Sequence, residues 1–185
     1  MEFRDQFRFV RDLNTLKDYD LDESPVRGGI HYAARDVVVE PANLGTFHAM
    51  LREGVAVDGT LIVKGPLLMD DGTTLSADNV VCESAVLFEC YCDIGRLMAS
   101  KLVALHASAS QGYLVELALE TQLFIYDSAA LGSGTVILHE KQFQFSMDTQ
   151  EHEVDIARVI HRDTDGLLAA ATAGVLEKYL SEFAA

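Results

Sequence analysis

An apolar pair spaced five positions apart recurs through the middle of this chain: Leu75 and Val80, Leu97 and Leu102, Ala118 and Leu123, Leu138 and Phe143. The second members fall 22, 21 and 20 residues apart. Upstream, Val57 and Ile62 keep the step, with Ile62 18 residues before Val80. Gly59, Gly72, Gly95, Gly112 and Gly132 stand at turn-like places in the same stretch. Between them lie short runs rich in Val, Leu, Ile, Phe and Tyr, such as Thr60–Val63, Val86–Tyr91, Tyr113–Leu117 and Leu123–Tyr126. Short strands and glycine turns at a period near 20 are what a parallel β-helix requires, because like residues then stack from coil to coil. An antiparallel sandwich is the competing architecture, but hairpins need no registered five-residue step. The chain is therefore expected to be mainly β: a single-domain right-handed parallel β-helix of about 20–22 residues per coil.

The flanks read differently. Asp36–Glu40 has the composition of a strand, and Leu44, Phe47 and Leu51 fall at helical spacing before Gly54, a natural C-cap. Residues 2–17 suit a helix through Phe3, Phe7 and Val10, or a strand through Phe7 and Phe9. After the N-cap oxygens of Asp163, Thr164 and Asp165, an apolar stripe of helical period runs from Leu167 to Phe183. Three segments follow: an N-terminal flank over 1–54, a β-solenoid over 55–160 and an amphipathic capping helix over 161–185. Caps are needed because the last coil of a solenoid exposes strand edges and an open core.

The phrases Val57–Gly65, Asp71–Val81 and Asp93–Leu102 have a rhythm that resembles bacterial β-solenoid proteins of the polymer-forming, bactofilin-like sort. They are also similar to a looser set of bacterial solenoid proteins, some encoded beside polymorphic toxins. The resemblance spans roughly residues 55–145, with Gly-Asp-type steps at Asp58-Gly59, Asp71-Gly72 and Asp93-Ile94-Gly95. It implies a solenoid fold and either self-assembly or a role beside a toxin. Bactofilin-like filaments leave their ends open, whereas this chain carries flanks that look folded.

With 185 residues, 49% of them apolar, the chain can bury a core without disulfides or metals. It holds 29 acidic and 14 basic residues, a net charge of −15. Phosphate-gripping nucleic-acid binding and docking on an anionic membrane both need clustered Lys and Arg, so neither is expected. The charge is uneven: residues 36–140 carry fourteen acids and four bases, Arg52, Lys64, Arg96 and Lys101. Met1–Gln6 is charged where a signal peptide needs a basic start and an apolar run. No stretch reaches the roughly 18 apolar residues of a membrane span. A cytoplasmic location is the resulting expectation.

No familiar catalytic set emerges. Cys82, Cys90 and Cys92 are odd in number; Cys90 and Cys92 share a face if they lie on a strand, and buried free thiols are the expectation. The six histidines form no His-x-x-x-His or His-Glu-x-x-His pair, so no metal or other cofactor is expected. Asp70, Asp71 and Asp93 could approach one another across coils as a polysaccharide-cleaving carboxylate pair, but there is no Trp to platform a sugar.

The acids Asp70, Asp71, Asp78, Glu83, Glu89, Asp93, Glu116, Glu120 and Asp127 recur about once per coil. Stacked at about 4.8 Å, they would form a negative face complementary to a basic partner. The plainer role of such a face is solubility. The expected function is a non-enzymatic binding protein: an immunity protein that occludes the active site of a basic, nuclease-like toxin. The alternatives are a self-assembling structural solenoid and, behind it, a polysaccharide-active enzyme. A homodimer is the other assembly the sequence allows.

Overall fold

From Val55 onward the chain is rich in short apolar runs, among them Val55–Val57, Leu61–Val63 and Ala85–Phe88, and in the computed structural model these stretches lie in strands. The structure describes residues 2–11, 29–88, 90–106, 118–126, 135–139, 142–146, 154–161, 169, 170 and 173. The strands are β1 (Arg8–Val10), β2 (Ile30–Ala33), β3 (Val37–Val39), β4 (Val55–Val63), β5 (Pro66–Met69), β6 (Thr74–Phe88), β7 (Tyr91–His106), β8 (Ala118–Tyr126), β9 (Thr135–His139), β10 (Gln142–Ser146) and β11 (Val154–His161). One short helix, α1 (Leu44–Leu51), follows a 3-10 turn at Pro41–Asn43. The fold is mainly β, as expected. Its main sheet is open and mixed: β1 is antiparallel to β2, while the ladder β2-β4-β6-β7-β8-β11 is parallel. β9 and β10 form a separate antiparallel hairpin.

Registers along the parallel ladder define three rows of stacked residues. The first contains Tyr32, Ala56, Ser76 and Asp93. The second contains Val37, Leu61, Val80, Leu97, Leu119 and Val154. The third contains Leu67, Ala85, Val103, Phe124 and Val159. Rows meet at corners where the register slips, between Val57 and Thr60, between Cys82 and Ser84, and between Ala99 and Leu102. These slips are β-bulges, which bend a strand and re-aim its side chains. At the first corner Gly59 has φ +116°, and a Cβ there would stand 2.5 Å from the Asp36 carboxylate. That carboxylate accepts the Thr60 N–H at 2.7 Å, so the missing side chain makes room for the group that stitches the corner.

Inward residues of all three rows join one apolar cluster, among them Val57, Leu61, Val80, Leu97, Val103 and Phe124. α1 closes one end of it with Phe47, Met50 and Leu51, all fully buried. Phe3 packs edge-on against Phe47 with ring centroids 6.3 Å apart, and Phe7 against Phe3 at 5.6 Å. Phe3 lies in a 3-10 turn and Val10 in β1, so the ambiguous opening segment contains both kinds of element in succession. β2 and β3, upstream of residue 55, already belong to the parallel ladder. Of the expected capping helix, Ala169, Ala170 and Ala173 are described, and the Ala173 N–H donates to the Ala169 carbonyl at 3.0 Å. The remainder of that helix lies outside the described residues. Among the described residues no helix is long and apolar enough to cross a membrane.

Candidate functional site

The first and third rows have buried outward residues beside half-buried ones, Tyr32 and Asp93 on the first and Leu68 and Leu123 on the third. On the first row, Ala56 and Ser76 point away from the main core yet are buried, and Ala56 packs with Val10, Ile30, Tyr32 and Tyr91. On the third, the outward Val86, Leu102, Ala104 and Ile125 are all buried. The second row differs. Its inward column, Val37, Leu61, Val80, Leu97 and Leu119, is 0–3% exposed, while the neighbouring outward column Val38, Ile62, Val81 and Met98 is half-buried and ends on the exposed Glu120. This leaves an apolar stripe on an otherwise polar face.

Both borders of the stripe are charged, for local reasons. Asp36, Asp58 and Asp78 collect at the first corner, where turns favour short polar side chains. Asp36 bonds Thr60, and Asp58 accepts the Tyr32 hydroxyl. Thr60, Asn79 and Arg96 stand between that corner and the stripe. Along the second corner run Glu40 and Lys64, paired at 2.7 Å, then Glu83 and Lys101 at 3.8 Å. Arg96 reaches Glu120 at 2.9 Å. These pairs are exposed, so each contributes at most about 1 kcal/mol and can exchange partners cheaply. Five strands at about 4.8 Å spacing and four residues of width give this face roughly 300 Å². A standard interface takes about 800 Å² per side, so the stripe is the size of an interface centre, with the corners as its rim.

The acids expected to form one negative face are distributed among separate places. Asp78, Glu83 and Glu120 border the second-row face. Asp70 and Asp71 lie at the turn after β5, where Asp70 pairs with Arg52 at 2.7 Å. Asp93 stands opposite Ser76 on the first row, with Oδ2 3.5 Å from the Ser76 hydroxyl. Asp70 and Asp93 therefore occupy different columns, and the register does not stack them. Glu89, Glu116 and Asp127 lie outside the described residues. Each of Arg52, Lys64, Arg96 and Lys101 is engaged with an acid, so the four bases of residues 36–140 offset local acids one for one. Sequence reasoning missed the apolar stripe, and with it Asp36 and Asp58, because apolar runs such as Val37–Val39 and Leu61–Val63 do not tell which of their two faces is covered.

Titration behaviour is perturbed away from this face. His48 on α1 accepts the Leu68 N–H on Nε2 at 3.4 Å, and burial holds its pKa below the ordinary 6.5. Burial, reinforced by Glu83, pushes the Cys82 thiol up to about 12. The hydrogen bond with Cys90, together with burial, raises Cys92 well above an ordinary thiol. Among the described residues no group of three His, Cys, Asp or Glu side chains could hold a metal ion. Comparison with known protein families, curated proteins and solved structures returns no match.

Proposed function

We propose that this chain is a non-enzymatic binding protein and that a basic protein docks on the outward face of the second row. The observation that carries the reading is the half-buried column Val38, Ile62, Val81 and Met98, set between the Asp36, Asp58 and Asp78 corner and the Glu40 and Glu83 edge. Interfaces draw their affinity from such an apolar centre, while charge at the rim sets approach rate and partner choice. A net charge of −15 extends that steering to a positively charged partner. Parallel registers at offsets of 17 to 24 residues through β7 and β8 support reading the ladder as a right-handed β-solenoid. The finer assignment is a cytoplasmic immunity protein: basic, nuclease-like toxins hold phosphate with Lys and Arg, and an acidic cover occludes that site.

The test is affinity capture from a bacterial lysate at low salt and at about 0.5 M, where screening shortens to a few Å. Ile62→Asp and Met98→Asp are expected to lose a stoichiometric basic partner that the wild type and a distal Asp71→Lys variant retain. Reversal at Asp78, Glu83 and Glu120 should slow association. Retention by both stripe variants refutes the docking face. A self-assembling solenoid of bactofilin-like type instead calls for concentration-dependent polymers in sedimentation, which α1 and Phe3, closing one end of the core, oppose.

A further inference from the structure

Three sulfur atoms meet inside the core at the corner where the third row returns to the first. Met69 ends β5, Cys92 faces inward from β7 opposite Leu75, and Cys90 immediately precedes β7. Cys90 Sγ lies 3.4 Å from Cys92 Sγ, and Cys92 Sγ lies 3.6 Å from Met69 Sδ. Relative exposure is 6% for Cys90, 1% for Cys92 and 0% for Met69, so Cys90 is the member nearest solvent. The corner above them is the turn Asp70–Thr73, whose last carbonyl accepts the Tyr91 N–H at 3.0 Å. That turn carries Asp70 and the exposed Asp71 at the surface.

Buried cysteines used only as small hydrophobes have no need of one another. Here two of the three cysteines are brought sulfur to sulfur, with a thioether as the third member, while Cys82 sits apart on β6 opposite Ala99. The donor set is wholly soft. It offers no oxygen ligands for Ca²⁺ or Mg²⁺ and lacks the four strong ligands of a structural zinc site. Two thiols and a thioether suit monovalent copper, which favours soft sulfur. With metal–sulfur bonds of about 2.3 Å, a trigonal plane spaces its sulfurs about 4.0 Å apart. The Cys90–Cys92 and Cys92–Met69 separations of 3.4 and 3.6 Å each need to open by about half an ångström, and the flexible Met69 side chain absorbs the second of these changes.

We propose that Cys90, Cys92 and Met69 form a three-sulfur binding site for Cu(I). Binding forms three copper–sulfur bonds and breaks an S–H bond for each thiolate made, releasing that proton to solvent. The ion stays monovalent throughout, so no electrons are exchanged. The first thiolate gives a neutral copper–thiolate unit, the form that apolar surroundings favour. The acids on the Asp70–Thr73 turn raise the local cation concentration beside Cys90, the point of entry. The site is separate from the second-row docking face and does not depend on it.

The experiment titrates the reduced full-length protein with Cu(I) under nitrogen against a chromogenic Cu(I) chelator. One equivalent per chain should be withdrawn from the chelator, with an ultraviolet sulfur-to-copper charge-transfer band. X-ray absorption should count three sulfur neighbours. Met69→Leu, which keeps the core volume, should weaken binding by about tenfold or more. Cys82→Ala should leave it unchanged. Binding no tighter than in a Cys90→Ser/Cys92→Ser double variant, equal binding by Met69→Leu, or a count below three sulfurs overturns the proposal. Should the double variant fail to fold, the Met69→Leu affinity and the sulfur count decide the matter.

Discussion

Gly95 offers a sharp test of the ladder's register. It lies in β7 between the pairs Ala77–Ile94 and Asn79–Arg96, directly across from Asp78. A Cβ added there would stand 2.8 Å from the Asp78 carbonyl oxygen. Ordinary carbon–oxygen contacts begin at about 3.3 Å, so two hydrogen-bonded strands must part by about half an ångström. Neither side of the clash is a flexible chain end, and overpacking of this kind costs about 1–3 kcal/mol. Replacing glycine within a strand returns about 0.5–1 kcal/mol of backbone entropy, which offsets part of the cost. The net expectation for Gly95→Ala is a loss of about 1–2 kcal/mol, or roughly 2–8 °C in Tm for a chain of this size. Gly45 in α1 is the control: a Cβ there meets nothing within 4 Å, so Gly45→Ala should gain up to about 1 kcal/mol. Urea unfolding followed by circular dichroism measures both, with an unchanged m-value showing that the same structure is lost. A neutral or stabilising Gly95→Ala would refute the register at this corner.

Three further expectations follow from the core. Phe47→Ala removes the ring that seals one end and should cost about 3–5 kcal/mol in urea unfolding; a loss under about 1 kcal/mol would mean that α1 does not close the core. Burial lowers the His48 pKa below 6.5, so the fold binds this proton more weakly than the unfolded chain does. Stability contributed by this group is therefore complete above pH 6.5 and declines as pH falls below it; His48→Gln should flatten that segment of the stability–pH curve, and an identical slope would rule the histidine out. With its pKa at about 12, Cys82 should have a thiolate fraction of roughly 10⁻⁴ at pH 8, so labelling by a disulfide reagent should wait for unfolding. Rapid labelling of Cys82 in the native protein, read by peptide mass mapping, would contradict its burial.

The five-residue pairs read from the sequence coincide only in part with pairs of the ladder. The step from Leu102 to Leu123 is a true ladder pair, and the stretch around Ile62 and Val80 is off by one, since Ile62 faces Val81. Val80 stacks on Leu97, whereas Leu102 belongs to the next row, opposite Ser84. The last of the five-residue pairs has another cause altogether: Leu138 and Phe143 face each other across the β9–β10 hairpin. Bulges at the corners explain these slips, because each one inserts or removes a residue without disturbing the buried columns. α1 was legible because its apolar spacing and Gly54 agree. The candidate face was not, since burial of outward residues such as Ala56, Val86 and Ala104 on the first and third rows is a tertiary fact that an apolar run alone does not encode. Acids were visible as a composition, but their partners Arg52, Lys64, Arg96 and Lys101 lie 18 to 24 residues away along the chain and become neighbours only in the fold.

Unequal spacing along the ladder also sets an order of assembly. Most neighbouring strands are joined by 17 to 24 residues, whereas β11 meets β8 across an offset of 35. Closing the longer loop costs only about 0.5 kcal/mol more, yet among the described residues β11 has a single parallel neighbour to compensate for it, while β6 and β7 are held on both sides. Formation should therefore nucleate at β6 and β7 and spread outward, with β11 joining late. Under mechanical load the sequence reverses: tension on the C-terminal side peels one row of hydrogen bonds at a time instead of shearing the whole ladder, and β11 detaches first.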